Sequence, residues 1–210
     1  MDKHPADPFA SVLTSLPDLS ELPGLELSDW QTWFGDAARR IIRWVPEAGV
    51  AIFYQSDIRR GGTLIDKGYL VMKAAEREHA ALLFHNIVCR EPPGSGGHGR
   101  PTYAHLIAVT RGAPPRAGPP VPDVMEDAGA MSWSKATGAS ACALACHYLQ
   151  RATGTRVVVD PFCGRGTVLA VANALGLDAL GVDVSQRCCR ASRRAVAPAL
   201  AGRFWDGKPR

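Results

Sequence analysis

The sequence predicts a single α/β domain built on a mostly parallel sheet with one antiparallel hairpin, and three observations carry that expectation. Apolar β-type runs alternate with helical ones along the chain. Two consecutive strand patterns are joined by a glycine- and proline-rich segment, as in a hairpin. A run of valines leads into a glycine-rich turn and then a helix, an order that can hold a ligand against the backbone. With 210 residues and 46% apolar content, one core is enough, and about 70% of the surface of the unfolded chain can be buried.

The first run, FASVLTSLPD from Phe9 to Asp18, reads as a short strand ending in a turn. Ser28 or Asp29 then caps a helix in which Trp30, Trp33, Phe34, Ala37 and Ile41 recur at the spacing of one buried face, and Pro46 and Gly49 stop it. GVAIFYQSD, from Gly49 to Asp57, is a buried strand followed by a polar loop, and a helix runs roughly from Lys67 to Glu78. AALLFHNIVCR and TYAHLIAVTRG form the hairpin, with EPPGSGGHGRP between them. His85 and His105 lie inside its strands and read as structural histidines. Residues 113–131, with five prolines, read as a surface loop, and Ser140 to Arg151 is helical again.

Charged residues make up 21% of the chain, and no apolar run approaches the ~20 residues of a membrane span. The start, MDKHPADPF, lacks the basic and apolar segments of a secretory leader, so a cytoplasmic location is expected. No pair among the six cysteines (89, 142, 146, 163, 188 and 189) has the two-residue spacing of a structural zinc site, so no metal is expected and the thiols are taken as reduced. Cys142, Cys146 and His147 share a helix and read as a buried face. The net charge of +4 is unevenly placed. From Arg187 to Arg210, seven basic residues stand against the single acid Asp206. That run is either a solvated face or a surface that meets phosphates.

The segment RVVVDPFCGRGTVLAVANALGLDALGVDVS holds a strand (Val157 to Val159), a turn (Asp160 to Gly166), a helix (Thr167 to Leu175) and a second strand ending at Asp183. Gly164 and Gly166 permit positive φ and a close approach of backbone to ligand. Asp183 is placed to accept hydrogen bonds from two ribose hydroxyls. DPFCGRGT resembles the DPFCGSGT signature of class I S-adenosylmethionine-dependent methyltransferases, most closely those that modify amino groups of nucleic-acid bases. The resemblance implies a Rossmann-like methyltransferase fold and S-adenosyl-L-methionine as cofactor. It also implies contacts to that cofactor from Asp160, Pro161, Phe162, Cys163, Gly164, Gly166, Thr167, Asp183 and Val184. Arg165 replaces the small residue of the signature at a position that can point outward.

Only 44 residues follow Gly166, so the remaining strands of the sheet must come from upstream. The chain is therefore similar to circularly permuted methyltransferases, in which the catalytic motif precedes the cofactor motif. Residues 1–112 would form the catalytic and substrate half, 113–132 a connecting loop and 133–210 the cofactor half. Trp133, Lys135 and Gly138 would flank the methionine end of the cofactor.

Those enzymes carry a Ser/Asp/Asn-Pro-Pro-aromatic turn after the strand beside the cofactor strand. Here Ser15, Leu16, Pro17 and Asp18 occupy that place. By resemblance, Ser15 and the Leu16 carbonyl would accept hydrogen bonds from the target amine. No aromatic residue follows, and Asp18 is either a group acting on the substrate or a turn former. Stacking would fall to Tyr54, Trp30 or Phe9. Tyr54, Gln55, Ser56, Asp57, Arg59 and Arg60 follow along the ligand-binding edge as substrate contacts.

The leading expectation is N-methylation of a base in RNA, such as tRNA or rRNA. Residues 112–131 are too short for the target-recognition domain of a sequence-specific DNA enzyme. A small-molecule methyltransferase is the alternative, and a DNA methyltransferase or a non-catalytic cofactor-binding scaffold ranks behind it.

Overall fold

The computed structural model describes residues 7–97, 99–115, 121–131 and 136–197. Trp133, Lys135, Arg203, Asp206, Lys208 and Arg210 lie outside the described residues. In chain order the elements are β1 (Ala10–Thr14), α1 (Leu27–Trp44), β2 (Ala51–Gln55), β3 (Ile58–Arg60), β4 (Thr63–Ile65), α2 (Lys67–Arg77), β5 (Ala81–Cys89), β6 (Tyr103–Thr110) and β7 (Val124–Met125). They continue with α3 (Ala139–Ala152), β8 (Val157–Asp160), α4 (Thr167–Ala174), β9 (Asp178–Gly181) and α5 (Gln186–Ser192).

Seven strands form one sheet in the order β7-β5-β6-β2-β1-β8-β9. Strand β6 runs antiparallel to β2 and β5, and the other pairings are parallel. All five residues of β1 and of β2 are buried, which follows from a sheet covered on both faces. On one face Val12, Ala51 and Phe53 pack with Trp30, Phe34 and Ile41 of α1 and Val71 of α2. On the other, Leu13, Ile52 and Val158 pack with Cys142, Cys146 and Leu149 of α3 and Val171 of α4. Burial pushes both of these thiols up, Cys146 to about 12, as expected of packed and unreactive cysteines.

The last-but-one strand of the chain thus lies beside the first. Strand β1 leads into α1 on one face, and its neighbour β8 leads into α4 on the opposite face. Such a divergence opens a crevice at the carboxyl ends of the two strands, where open α/β sheets bind ligands.

Several expected boundaries move. Glu26, rather than Ser28 or Asp29, is the residue before α1. The segment after β2 is no loop: β3 and β4 pair as a small antiparallel hairpin around Gly61 and Gly62, both at positive φ. Within residues 113–131, β7 adds two residues to the edge of the sheet beside β5. Strand β9 stops at Gly181, two residues before Asp183.

Candidate functional site

Two strand ends are tied together at the crevice. Thr14, the last residue of β1, donates from Oγ1 to Oδ1 of Asp160, the last residue of β8, at 2.6 Å. Asp160 also accepts the Phe162 backbone N–H at 3.1 Å. Its carboxyl is almost fully buried, and burial pushes its pKa up to about 7 against the opposing effect of these two donors. The turns 15–18 and 160–166 therefore leave the sheet side by side.

The glycine-rich turn is built so that it has little side-chain cover. Gly164 and Gly166 have φ of +51° and +85°, values that side chains disfavour. A Cβ on Gly166 would stand 2.7 Å from the Ser192 Cβ, so α5 is seated directly against the turn. Asp183 closes the site from just beyond β9. Its Oδ2 accepts the Gly164 N–H at 2.9 Å and its Oδ1 the Ser185 N–H at 2.7 Å. Each oxygen keeps a further lone pair for an incoming hydroxyl. Val184 follows with its side chain fully exposed, Thr167 opens α4 from a buried position, and Arg165 is exposed. Pro161 is half-buried. Phe162 packs edge-on against Trp33, their ring centres 6.0 Å apart. Cys163 is buried and its N–H reaches the Val182 carbonyl. The side chains of Phe162 and Cys163 thus pack into the protein, which leaves backbone as their contribution to a ligand.

Opposite this turn, Leu16 is buried and the Pro17 carbonyl accepts the Trp30 indole N–H at 3.2 Å. Asp18 is held by the Lys67 ammonium, and its other oxygen lies 3.5 Å from the Arg100 guanidinium. The Asp18 N–H in turn reaches Glu21 Oε2 at 2.9 Å. Lys67 is 3% exposed, and burial lowers its pKa while the Asp18 charge works the other way. Its position is fixed by a second carboxylate, since its backbone N–H donates to Asp57 Oδ1 at 2.8 Å. Asp57 also meets His105 Nε2 at 3.1 Å and accepts the Tyr103 hydroxyl at 3.3 Å. His105 Nδ1 pairs with His85 Nε2 at 2.8 Å. Burial acts to raise the Asp57 pKa, but these partners prevail and hold it low.

The expected substrate contacts separate accordingly. Tyr54 and Ser56 line a cavity of about 50 Å³ together with Ser15, Asp18, Lys67, Arg90 and Arg100. Arg59 and Arg60 are exposed on the β3–β4 hairpin. Gln55 and Asp57 are buried instead of lining that cavity. Strand alternation turns Gln55 away from the face occupied by Tyr54, and Asp57 is consumed by its internal partners. Asp57, Asp66 and His105 also gather ligand-type atoms within 4.8 Å, but hydrogen bonds within the fold already engage them. Sequence reasoning missed Lys67, Arg90 and Arg100. The one available signal was the placement of Lys67 and Arg90 directly beside the ends of predicted elements at the ligand-binding edge.

No family model and no curated protein matches the sequence. Solved structures do match. A candidate DNA modification methylase of Thermus thermophilus, in complex with S-adenosyl-L-methionine, superposes with a TM-score of 0.69 at 16% identity, over 92% of this chain and 88% of that one. The PvuII DNA methyltransferase, specific for cytosine N4, gives 0.68 at 14% identity over 91% and 80%. The M1.HpyAVI–SAM complex gives 0.56 at 10% identity over 89% and 87%. The chain therefore has the α/β fold of these methyltransferases.

Proposed function

We propose that this chain transfers a methyl group from S-adenosyl-L-methionine to an exocyclic amine of a nucleic-acid base, on a circularly permuted methyltransferase fold. The Thr14–Asp160 hydrogen bond carries this reading, because it brings the cofactor-type turn and the Ser15–Asp18 turn to one crevice. The residues present fit the cofactor. Bare backbone at Gly164 and Gly166 would accept its methionine portion, Asp183 its ribose hydroxyls, and exposed Val184 an apolar face for its adenine. When bound, the cofactor supplies an electrophilic methyl on a sulfonium.

The protein's own part is positional. Ser15 Oγ and the Leu16 carbonyl would accept the two amine hydrogens, which turns the nitrogen lone pair toward the methyl. Lys67 and Arg100 hold Asp18 in place at the rim of the same cavity, where the family has a stacking ring. Among the described residues, Tyr54 is the aromatic one that lines this cavity.

Two of the similar structures, the Thermus protein and the PvuII enzyme, are named for DNA methylation, and this favours DNA over RNA as the polymer. The short interval before α3 loses its force as an argument for RNA, since 88% of the compact Thermus protein is covered by this chain. The test is to incubate purified protein with methyl-labelled S-adenosylmethionine and DNA, total RNA or a metabolite extract. Label in an N-methylated base of DNA supports the reading. Label in RNA alone reassigns the polymer, and label only in a small molecule rejects a nucleic-acid acceptor.

A further inference from the structure

The cavity beside Ser15 is lined by three cations, Lys67, Arg90 and Arg100. Asp18 engages two of them, Lys67 and Arg100. Arg90 is different. Among the described residues it pairs with no carboxylate, and its one side-chain hydrogen bond is a long 3.4 Å contact to Ser56 Oγ. Beside it lies a second unused group. The Tyr54 hydroxyl is buried and makes no full hydrogen bond among the described residues; the Gly138 backbone N–H acts on its oxygen only as the smallest of the influences there, and the hydroxyl's own proton has no acceptor. Burial raises the pKa of that hydroxyl to about 12, and the Arg90 charge works the other way.

A buried hydroxyl whose proton has no acceptor and a half-buried guanidinium with a single long hydrogen bond are both under-satisfied. A ligand bearing anionic oxygens would satisfy both, because charge-assisted bonds to guanidinium and hydroxyl are the strong ones. Strands β2 and β5 run parallel on either side of β6, so Tyr54, Ser56 and Arg90 emerge at the same sheet edge as Ser15. We propose that Arg90, Tyr54 and Ser56 form a subsite for a phosphate of the methyl acceptor, adjoining the position of its reacting amine. This rests on the cavity being the acceptor site. The same chemistry could be supplied by the carboxylate of the cofactor, and the experiment separates the two sources.

Transfer of labelled methyl is measured on an oligonucleotide, a nucleoside monophosphate and the unphosphorylated nucleoside, for the wild type, Arg90→Ala and Tyr54→Phe. In the wild type the monophosphate should exceed the nucleoside in kcat/KM. Arg90→Ala should reduce that preference by about tenfold or more, as expected for losing a charged hydrogen bond, and Tyr54→Phe should reduce it less. Calorimetry should give the same affinity for S-adenosylmethionine in all three proteins. An unchanged preference, or a loss of S-adenosylmethionine affinity in Arg90→Ala, would overturn the assignment, the latter by placing the cofactor's carboxylate there. A direct probe covers failure of the methyl-transfer reading itself. Binding of inorganic phosphate that Arg90→Ala abolishes supports the subsite even where no acceptor is methylated, and no phosphate binding by the wild type overturns it.

Discussion

Lys67, the first residue of α2, reaches across to the carboxylate of Asp18, and the two side chains are only 3% and 16% exposed. An ammonium at a helix N-terminus meets the positive end of the helix dipole and has lost its water, so Asp18 is what makes its position tolerable. The turn after β1 is thereby locked to α2 by charge.

Replacing one partner of such a pair strands the other. Asp18→Ala should cost about 3–5 kcal/mol in urea denaturation, the range for breaking a buried ion pair. The Asp18→Asn/Lys67→Met double variant should cost less than the two single changes added together. Activity lost in Asp18→Ala then has to be compared at equal folded fraction. Wild-type stability in that variant would mean that the pair is not formed in solution.

The raised pKa of Asp160 has a defined consequence for stability. Unfolded, the carboxyl titrates near 3.8, and folded near 7. Below the lower value both states are protonated and the contribution is fully present. Between the two values only the folded protein keeps the proton, so stability should fall as pH rises and level off above about pH 7. At about 1.36 kcal/mol per pH unit, the fall amounts to at most about 4 kcal/mol. Urea denaturation across about pH 4 to 8 measures it, and Asp160→Asn should flatten the slope. A wild type as stable above the folded pKa as midway between the two values would contradict the burial of this group.

The sheet was readable because its strands are short apolar runs with clear punctuation, and the DPFCGRGT turn because every glycine and acid in it has a local mechanical reason. Hydrophobic periodicity located α1 through Trp30, Phe34 and Ile41. The β3–β4 hairpin was missed because its strands are three residues each and mostly exposed, so they carry no periodicity. The Lys67–Asp18 pair joins residues 49 positions apart, and no local pattern reports such a contact. Position at the carboxyl end of β2 puts Gln55 at the ligand-binding edge, but the pleat decides which face its side chain takes, and it is buried away from the cavity.

Asp183 links the cofactor-type turn to α5, through the N–H groups of Gly164 and Ser185. Asp183→Ala removes both of these acceptors and the proposed ribose contacts. Affinity for S-adenosylmethionine should fall by about 1–3 kcal/mol by calorimetry. Asp183→Asn, which keeps one acceptor oxygen, should lose less. Equal affinity in the wild type and Asp183→Ala would remove the ribose assignment.

The last prediction concerns the polymer. Arg187, Arg190, Arg193 and Arg194 are exposed on and just after α5, and Arg59 and Arg60 are exposed on the β3–β4 hairpin. Both groups follow strands that end at the crevice. The described part of the basic run is held in place chiefly without its arginine side chains: Ser185 caps α5 and Ser192 sits against Gly166, while Arg190 makes one long, exposed bond to Gln186 within the helix. Substituting Arg190, Arg193 and Arg194 by Ala should therefore preserve binding of S-adenosylmethionine. If these side chains meet phosphates, every phosphate that is no longer neutralised should reduce the log-log salt slope of binding, by about 0.9 for duplex DNA and about 0.7 for a single strand. Measuring affinity for a duplex and for a single-stranded oligonucleotide at several salt concentrations gives both slopes. Identical slopes in the wild type and the triple variant would leave these arginines as solvated surface and move the phosphate-binding surface elsewhere on the protein.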